Sequence, residues 1–301
     1  MEIPITDEFS QQYQELSTPA RVGGDRYLLA FVFAFGLLLA GIFTGYVIRK
    51  RRKDNKGQGT NAGILAVVIA LILCTIIVGL FGPDWETGSA AIDPSIVVSA
   101  ASGVEIGPRA RLGILIGTRG FNVTLHAPPA GNERRERLWN EHFSWSAPEW
   151  RHRTIVSSFQ AAIETGIPLP VYDLAEAMTL DSEGIRWGRR YREAGYYTWI
   201  FLWTAFAACI FAALVLSIVV YYRNNGNSIV NTDIAYALLL SATFQTAAWV
   251  TWFSLAPKTF PMATRYGVSA WVTLAGSIIS FTASGVLFVR ARKIEKKTKT
   301  V

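Results

Sequence analysis

The chain has 301 residues, 51% hydrophobic, 13% aromatic and only 17% charged, with a mean hydropathy of +0.27. Soluble domains carry about 25% charged residues, so this composition excludes an ordinary soluble protein and points to a membrane. The net charge of +7 is concentrated in runs beside apolar stretches, not on a polar domain, which argues against a nucleic-acid partner.

Residues 1–26 are polar, with Glu2, Asp7, Glu8, Glu15 and Asp25. They lack the basic start and short apolar core of a cleaved signal peptide and read as an extended extracellular tail. Five stretches are then long enough to cross a hydrocarbon core, which takes about 20 apolar residues. They are 27–48, 62–82, 197–222, 234–256 and 268–289. Ser241, Thr243, Gln245 and Thr246 dilute the fourth. None of the five contains Lys, Arg, Asp, Glu or His. A haem-bearing carrier needs axial ligands inside the bilayer, and ion-coupled transporters need ionisable groups there. The spans offer neither, and no cofactor or small-molecule substrate is expected.

Charge orients these spans. The loop 49–61 carries Arg49, Lys50, Arg51, Arg52, Lys53 and Lys56 against Asp54, and the tail 290–301 carries Arg290, Arg292, Lys293, Lys296, Lys297 and Lys299 against Glu295. Such runs stay cytoplasmic. The loop 223–233 joins them there, which places the N-terminus, residues 83–196 and the short loop 257–267 outside. The cytoplasmic segments then hold 13 bases and 3 acids, and the rest of the chain 16 and 19. Cys74 and Cys209 both fall within spans, so the outer domain has no disulfide of its own.

The insert 83–196 reads as strands followed by short helices. Ile96–Ala101 is a β-branched run, and Arg111–Thr118 follows it. Gly120–Ala127 alternates Phe121, Val123 and Leu125 with Asn122, Thr124 and His126, the period of a half-buried strand. The loop Gly131–Arg137 leads to a further alternating run, Glu141–Trp145. Ser146 and Glu149 form a candidate capping box with Pro148 in the first turn. The helix behind it carries Ile155, Phe159, Ala162 and Ile163 on one face and stops at Gly166-Ile167-Pro168. A second short helix spans about Val171–Thr179, and Arg186–Tyr196 leads into the third span. The predicted fold is predominantly α-helical: five transmembrane helices with an α+β domain, a small antiparallel sheet plus short helices, between the second and third spans.

Asn122-Val123-Thr124 is an Asn-x-Thr sequon on the extracellular side, so Asn122 is a candidate glycosylation site. His126, His142 and His152 lack metal-ligand spacing, and no catalytic motif occurs. All twelve basic residues of the insert are arginines. Arginine and tryptophan are enriched at binding hot spots. Trp139, Trp145, Trp150, Arg151, Arg153 and Trp187 are therefore the candidate partner-binding face.

Several runs in this region, in order, resemble the dual oxidase maturation factors. They are Gly120-Phe121-Asn122-Val123-Thr124-Leu125, Asn140-Glu141-His142-Phe143-Ser144-Trp145, Gly166-Ile167-Pro168-Leu169-Pro170-Val171, and Tyr191-Arg192-Glu193-Ala194-Gly195-Tyr196-Tyr197-Thr198. The outer-domain cysteines of vertebrate members are missing, which fits a divergent invertebrate member. The resemblance implies a claudin-like extracellular domain and a non-catalytic, glycosylated membrane protein. It implies a dual oxidase as partner, needing the factor to leave the endoplasmic reticulum membrane, reach the plasma membrane and make hydrogen peroxide. The resemblance carries the glycosylated asparagine onto Asn122. A claudin-like adhesion or junction protein is the alternative.

Overall fold

The computed structural model describes residues 58–92, 110–127, 137–145, 155–164, 166–179, 187–221, 228–258, 260 and 262–299. The tail 1–26, the first span 27–48, most of the basic loop, the strand expected at Ile96–Ala101 and the capping box at Ser146–Glu149 lie outside the described residues. Two compact units are present. Among the described residues, one comprises 83–193 and 256–267, the other 58–82, 194–255 and 268–299.

The first unit is built on an antiparallel sheet of five strands: β1 (Glu86–Ala91), β2 (Arg111–Gly117), β3 (Gly120–Ala127), β4 (Arg137–Ser144) and β5 (Thr264–Tyr266). Their order across the sheet is β4-β3-β2-β1-β5. The alternation read in β3 sets the register. Phe121 lies opposite Ile116 and Phe143, and Val123 opposite Ile114. Successive side chains of a strand point to opposite faces, so these residues share one face. Ile114, Ile116, Phe121, Val123, Leu125 and Phe143 are all buried.

Gly117-Thr118-Arg119-Gly120 makes the tight β2–β3 turn that the glycines predict. Gly120 has a second duty. A Cβ there would overlap the Phe143 carbonyl, so only glycine lets β3 and β4 close at this end.

Two helices cover the apolar face. Helix α1 (Gln58–Phe81) belongs to the other unit. Helix α2 (Ile155–Glu164) packs on β4, and α3 (Leu169–Thr179) packs on β3. Gly166, at φ 77°, ends α2 and donates its N–H to the Ile163 carbonyl at 2.9 Å. This is the left-handed stop that glycine favours. Helix α3 buries Pro170, Val171, Leu174, Ala175 and Met178, one face at helical spacing.

Two strands depart from the expectations. β1 precedes the run expected to open the sheet, and β5 lies in 257–267, expected to be a plain loop. Neither carries an alternating pattern. Both form because partners are supplied: Trp85 N–H donates to the Ile116 carbonyl at 2.8 Å, and Gly267 N–H to the Trp85 carbonyl at 2.9 Å.

The second unit is helical, made of α1, most of α4 (Trp187–Tyr221), α5 (Ser228–Leu255) and α6 (Val268–Lys299). Among the described residues, these four helices are long and apolar enough to cross a membrane. α4 starts before the expected span and α6 runs past it to Lys299, because Arg, Lys and Glu are good helix formers and hydropathy does not end a helix.

Two of the four residues that dilute the fourth span, Ser241 and Gln245, prove to be part of its packing. Ser241 and Gln245 are both fully buried. Ser241 Oγ donates to the Ala205 carbonyl of α4 at 3.0 Å, and Gln245 Nε2 to Ser280 Oγ of α6 at 3.2 Å. Ser284 Oγ ties α6 to the Ala235 carbonyl of α5 at 2.7 Å. Thr198 Oγ1 bonds the Ala248 carbonyl at 3.2 Å, and Cys209 Sγ bonds the Ile69 carbonyl at 3.7 Å. Such bonds join helices where apolar side chains gain little by leaving lipid. Gly276 lets three helices meet closely: a Cβ there would overlap Thr75 Oγ1 and stand 2.7 Å from Gln245 Oε1.

Candidate partner-binding surface

The aromatic residues of the sheet unit form a connected chain. Phe121 stacks on Phe143 with centroids 4.9 Å apart, and Phe143 meets Phe159 of α2 at 6.4 Å. Phe159 in turn meets Tyr172 of α3 at 5.4 Å. From Phe121 a branch runs to Trp145 at 5.2 Å, on to Tyr191 at 6.4 Å, then to Phe260 at 5.9 Å and Trp187 at 5.7 Å. Aromatic pairs at these separations contribute about 0.5–1.5 kcal/mol beyond their area.

This chain determines what the candidate tryptophans do. Trp145 and Trp187 are half-buried, and their rings pack against Phe121, Tyr191 and Phe260. Trp139 is half-buried on β4, opposite Leu125. The three are spread along the unit's own packing and do not make one patch. Trp150, Arg151 and Arg153 lie outside the described residues.

A buried acid anchors the branch. Glu86, at the start of β1, is 5% exposed and accepts a 2.7 Å hydrogen bond from the hydroxyl of Tyr191, which is wholly buried. Across the β1–β5 pair, Tyr266 stands opposite Glu86. Burial, and then the Glu86 charge, push the Tyr266 phenol above its usual range. Sequence reasoning did not find this cluster. Its three members come from distant parts of the chain, and only the strand pairing shows that they meet.

The opposite face of the sheet is polar. Thr124 stands opposite Asn140 and Asn122 opposite His142. Asn122 is on the expected face but is only 5% exposed, and its Nδ2 donates to Asn140 Oδ1. Its Oδ1 is buried without a hydrogen-bond partner among the described residues. A sugar attached to Nδ2 would have to displace Asn140. His142 Nδ1 lies 3.2 Å from the Phe121 carbonyl. Burial lowers its pKa, and that carbonyl partly opposes the effect. On the other face, burial raises the Glu141 carboxyl.

The quoted runs fall on β3, β4, the start of α3 and the first half of α4. A model of the family described as dual oxidase maturation factor matches residues 21–301. The chain belongs to the dual oxidase maturation factor family. Among relatives, human dual oxidase maturation factor 1 is 28% identical over 228 residues, 72% of this chain and 60% of the relative. Human dual oxidase maturation factor 2 is 27% identical over 261 residues, 86% of this chain and 74% of the relative. Dual oxidase maturation factor 1 of Caenorhabditis elegans is 29% identical over 194 residues, 62% of this chain and 44% of the relative. The match thus spans less than two thirds of the human and mouse maturation factor 1 proteins, at 60% and 64% of their lengths.

Proposed function

We propose that this maturation factor is a non-catalytic accessory subunit of a dual oxidase. It would be required for the oxidase to leave the endoplasmic reticulum, reach the plasma membrane and produce hydrogen peroxide. The single observation that carries this reading is the family match over residues 21–301. In mechanism, the helices pack beside the oxidase's membrane segments, and the sheet unit holds its extracellular part. Binding to the folded, assembled oxidase shifts the population toward the exported form by mass action.

The proposed topology has five spans, an extracellular N-terminus and a cytoplasmic C-terminus; the basic runs at 49–56 and 290–299 support it. The sheet unit is proposed to be claudin-like. Its four consecutive strands joined by a fifth from a later loop support that reading. The partner-binding face is proposed to draw on Trp139, Trp150, Arg151 and Arg153; Trp145 and Trp187 belong to the aromatic chain.

Co-expression tests the function. Cells making a dual oxidase with and without this chain would be compared for oxidase at the surface and for peroxide release. Both should rise with the chain. Unchanged values, with the chain self-associating between cells, would favour an adhesion protein instead.

A further inference from the structure

Helix α6 does not stop where its apolar span stops. It continues unbroken from Val268 to Lys299, and the last apolar residue of the span is Val289. A helix rises about 1.5 Å per residue. Arg290, Arg292 and Lys293 therefore sit about 1.5–6 Å beyond that boundary along the axis, and Lys296 about 10 Å. The headgroup layer on each side of a bilayer is about 5–8 Å deep. A lysine beyond it reaches back along its stem.

The bases also lie on a particular face. Within the span, Ile278, Phe281, Val286 and Val289 are exposed. At about 100° per residue, Arg292 follows Phe281, Lys293 follows Val286, and Lys296 follows both Val289 and Ile278. Arg290 lies one turn beyond Val286. All four bases are exposed. The opposite side of this extension is different: Ala291 is buried and Ile294 half-buried. Beside it, the exposed Glu295 lines a groove between α5 and α6 together with Asp233, Val289 and Arg292. The exposed apolar stripe of α6 therefore passes directly into a row of cations as it leaves the apolar layer, and Arg292, at the edge of that row, also borders the groove that holds Glu295 and Asp233.

We propose that Arg290, Arg292, Lys293 and Lys296 form a binding face for the headgroups of anionic phospholipids. An apolar stripe takes the acyl chains and the row above it takes the phosphate and carboxylate groups, so one lipid molecule satisfies both. The rigid helix holds the charges at headgroup depth, where each base strengthens binding to an anionic surface by about fivefold. The contact is electrostatic and weakens with salt.

Native mass spectrometry of the full chain, in micelles doped equally with phosphatidylserine and phosphatidylcholine, tests this. Wild-type protein should retain phosphatidylserine with a preference of about tenfold or more at low salt, falling as salt rises. A variant with Arg290→Gln, Arg292→Gln, Lys293→Gln and Lys296→Gln should lose the preference. Exchanging Arg290 and Arg292 for Lys, and Lys293 and Lys296 for Arg, should keep it and so report on any folding defect of the first variant. Equal retention of the two lipids by wild type would overturn the proposal. So would a preference unchanged in the glutamine variant, since the bases at 49–56 would then account for it.

Discussion

Replacing Tyr191 by Phe removes a single buried hydroxyl. The phenyl ring remains, so the contacts with Trp145 at 6.4 Å and Phe260 at 5.9 Å are kept. Only the hydroxyl is lost, and with it the 2.7 Å bond to Glu86 and a hydrogen bond with Thr264. A hydrogen bond to a charged group contributes roughly 1.5–3 kcal/mol. Little water can replace it, because Tyr191 is 0% and Glu86 5% exposed. At about 2–4 °C per kcal/mol for a large domain, the unfolding midpoint of detergent-purified protein should fall by roughly 3–12 °C. Glu86→Gln in the same background separates the pair from its surroundings. Without the Tyr191 hydroxyl, loss of the charge should cost less than in wild type, giving a coupling energy of about 1 kcal/mol or more. A Tyr191→Phe midpoint within about 1 °C of wild type, on the same scale, would refute the claim that this bond anchors β1 to α4. So would additive single effects.

Gly276→Ala should destabilise the helical unit by about 1–3 kcal/mol through overpacking, because its Cβ would overlap Thr75 Oγ1, whereas Gly285→Ala meets nothing within 4 Å and should be neutral or stabilising; thermal unfolding of the two variants compares them. Glycosidase treatment of the expressed protein should leave its electrophoretic mobility unchanged, because Asn122 is buried and its Nδ2 is bonded to Asn140; a shift abolished by Asn122→Gln would contradict the arrangement of β3 and β4. His142 has a lowered pKa, so the unfolded chain takes up the proton first. Stability should therefore be full above the ordinary value of 6.5 and fall as pH drops through the folded pKa. Melting curves between about pH 7.5 and 5.5, spanning the ordinary histidine range, should show this loss, reduced in His142→Asn.

What could be read from the chain depended on how local its cause was. The alternation of Phe121, Val123 and Leu125 announces β3 because period two is set by the strand itself. Gly166 and Pro168 announce the end of α2 for a similar reason. β1, with the sequence Glu-Thr-Gly-Ser-Ala-Ala, has no such pattern, and β5 is three residues long. Both owe their form to pairing with distant segments. In the fourth span, Ser241 and Gln245 lower hydropathy, so a window average reads them as weakness. Only their carbonyl and hydroxyl partners on neighbouring helices reveal them as ties. Trp145 illustrates the limit for the binding face. A tryptophan bracing a core and one waiting for a partner have the same side chain, and the rings of Phe121 and Tyr191 decide which it is. Asn122 was placed on the correct face, but burial on that face depends on Asn140 and His142 from another strand.

Export of a dual oxidase is the role proposed for this chain. Its most direct test is surface biotinylation of an epitope-tagged dual oxidase in cells lacking their own maturation factors, with and without this chain. Oxidase should appear at the surface only with the chain, and the two should co-purify after solubilisation. Equal surface oxidase in both cells, with no co-purification, would contradict it.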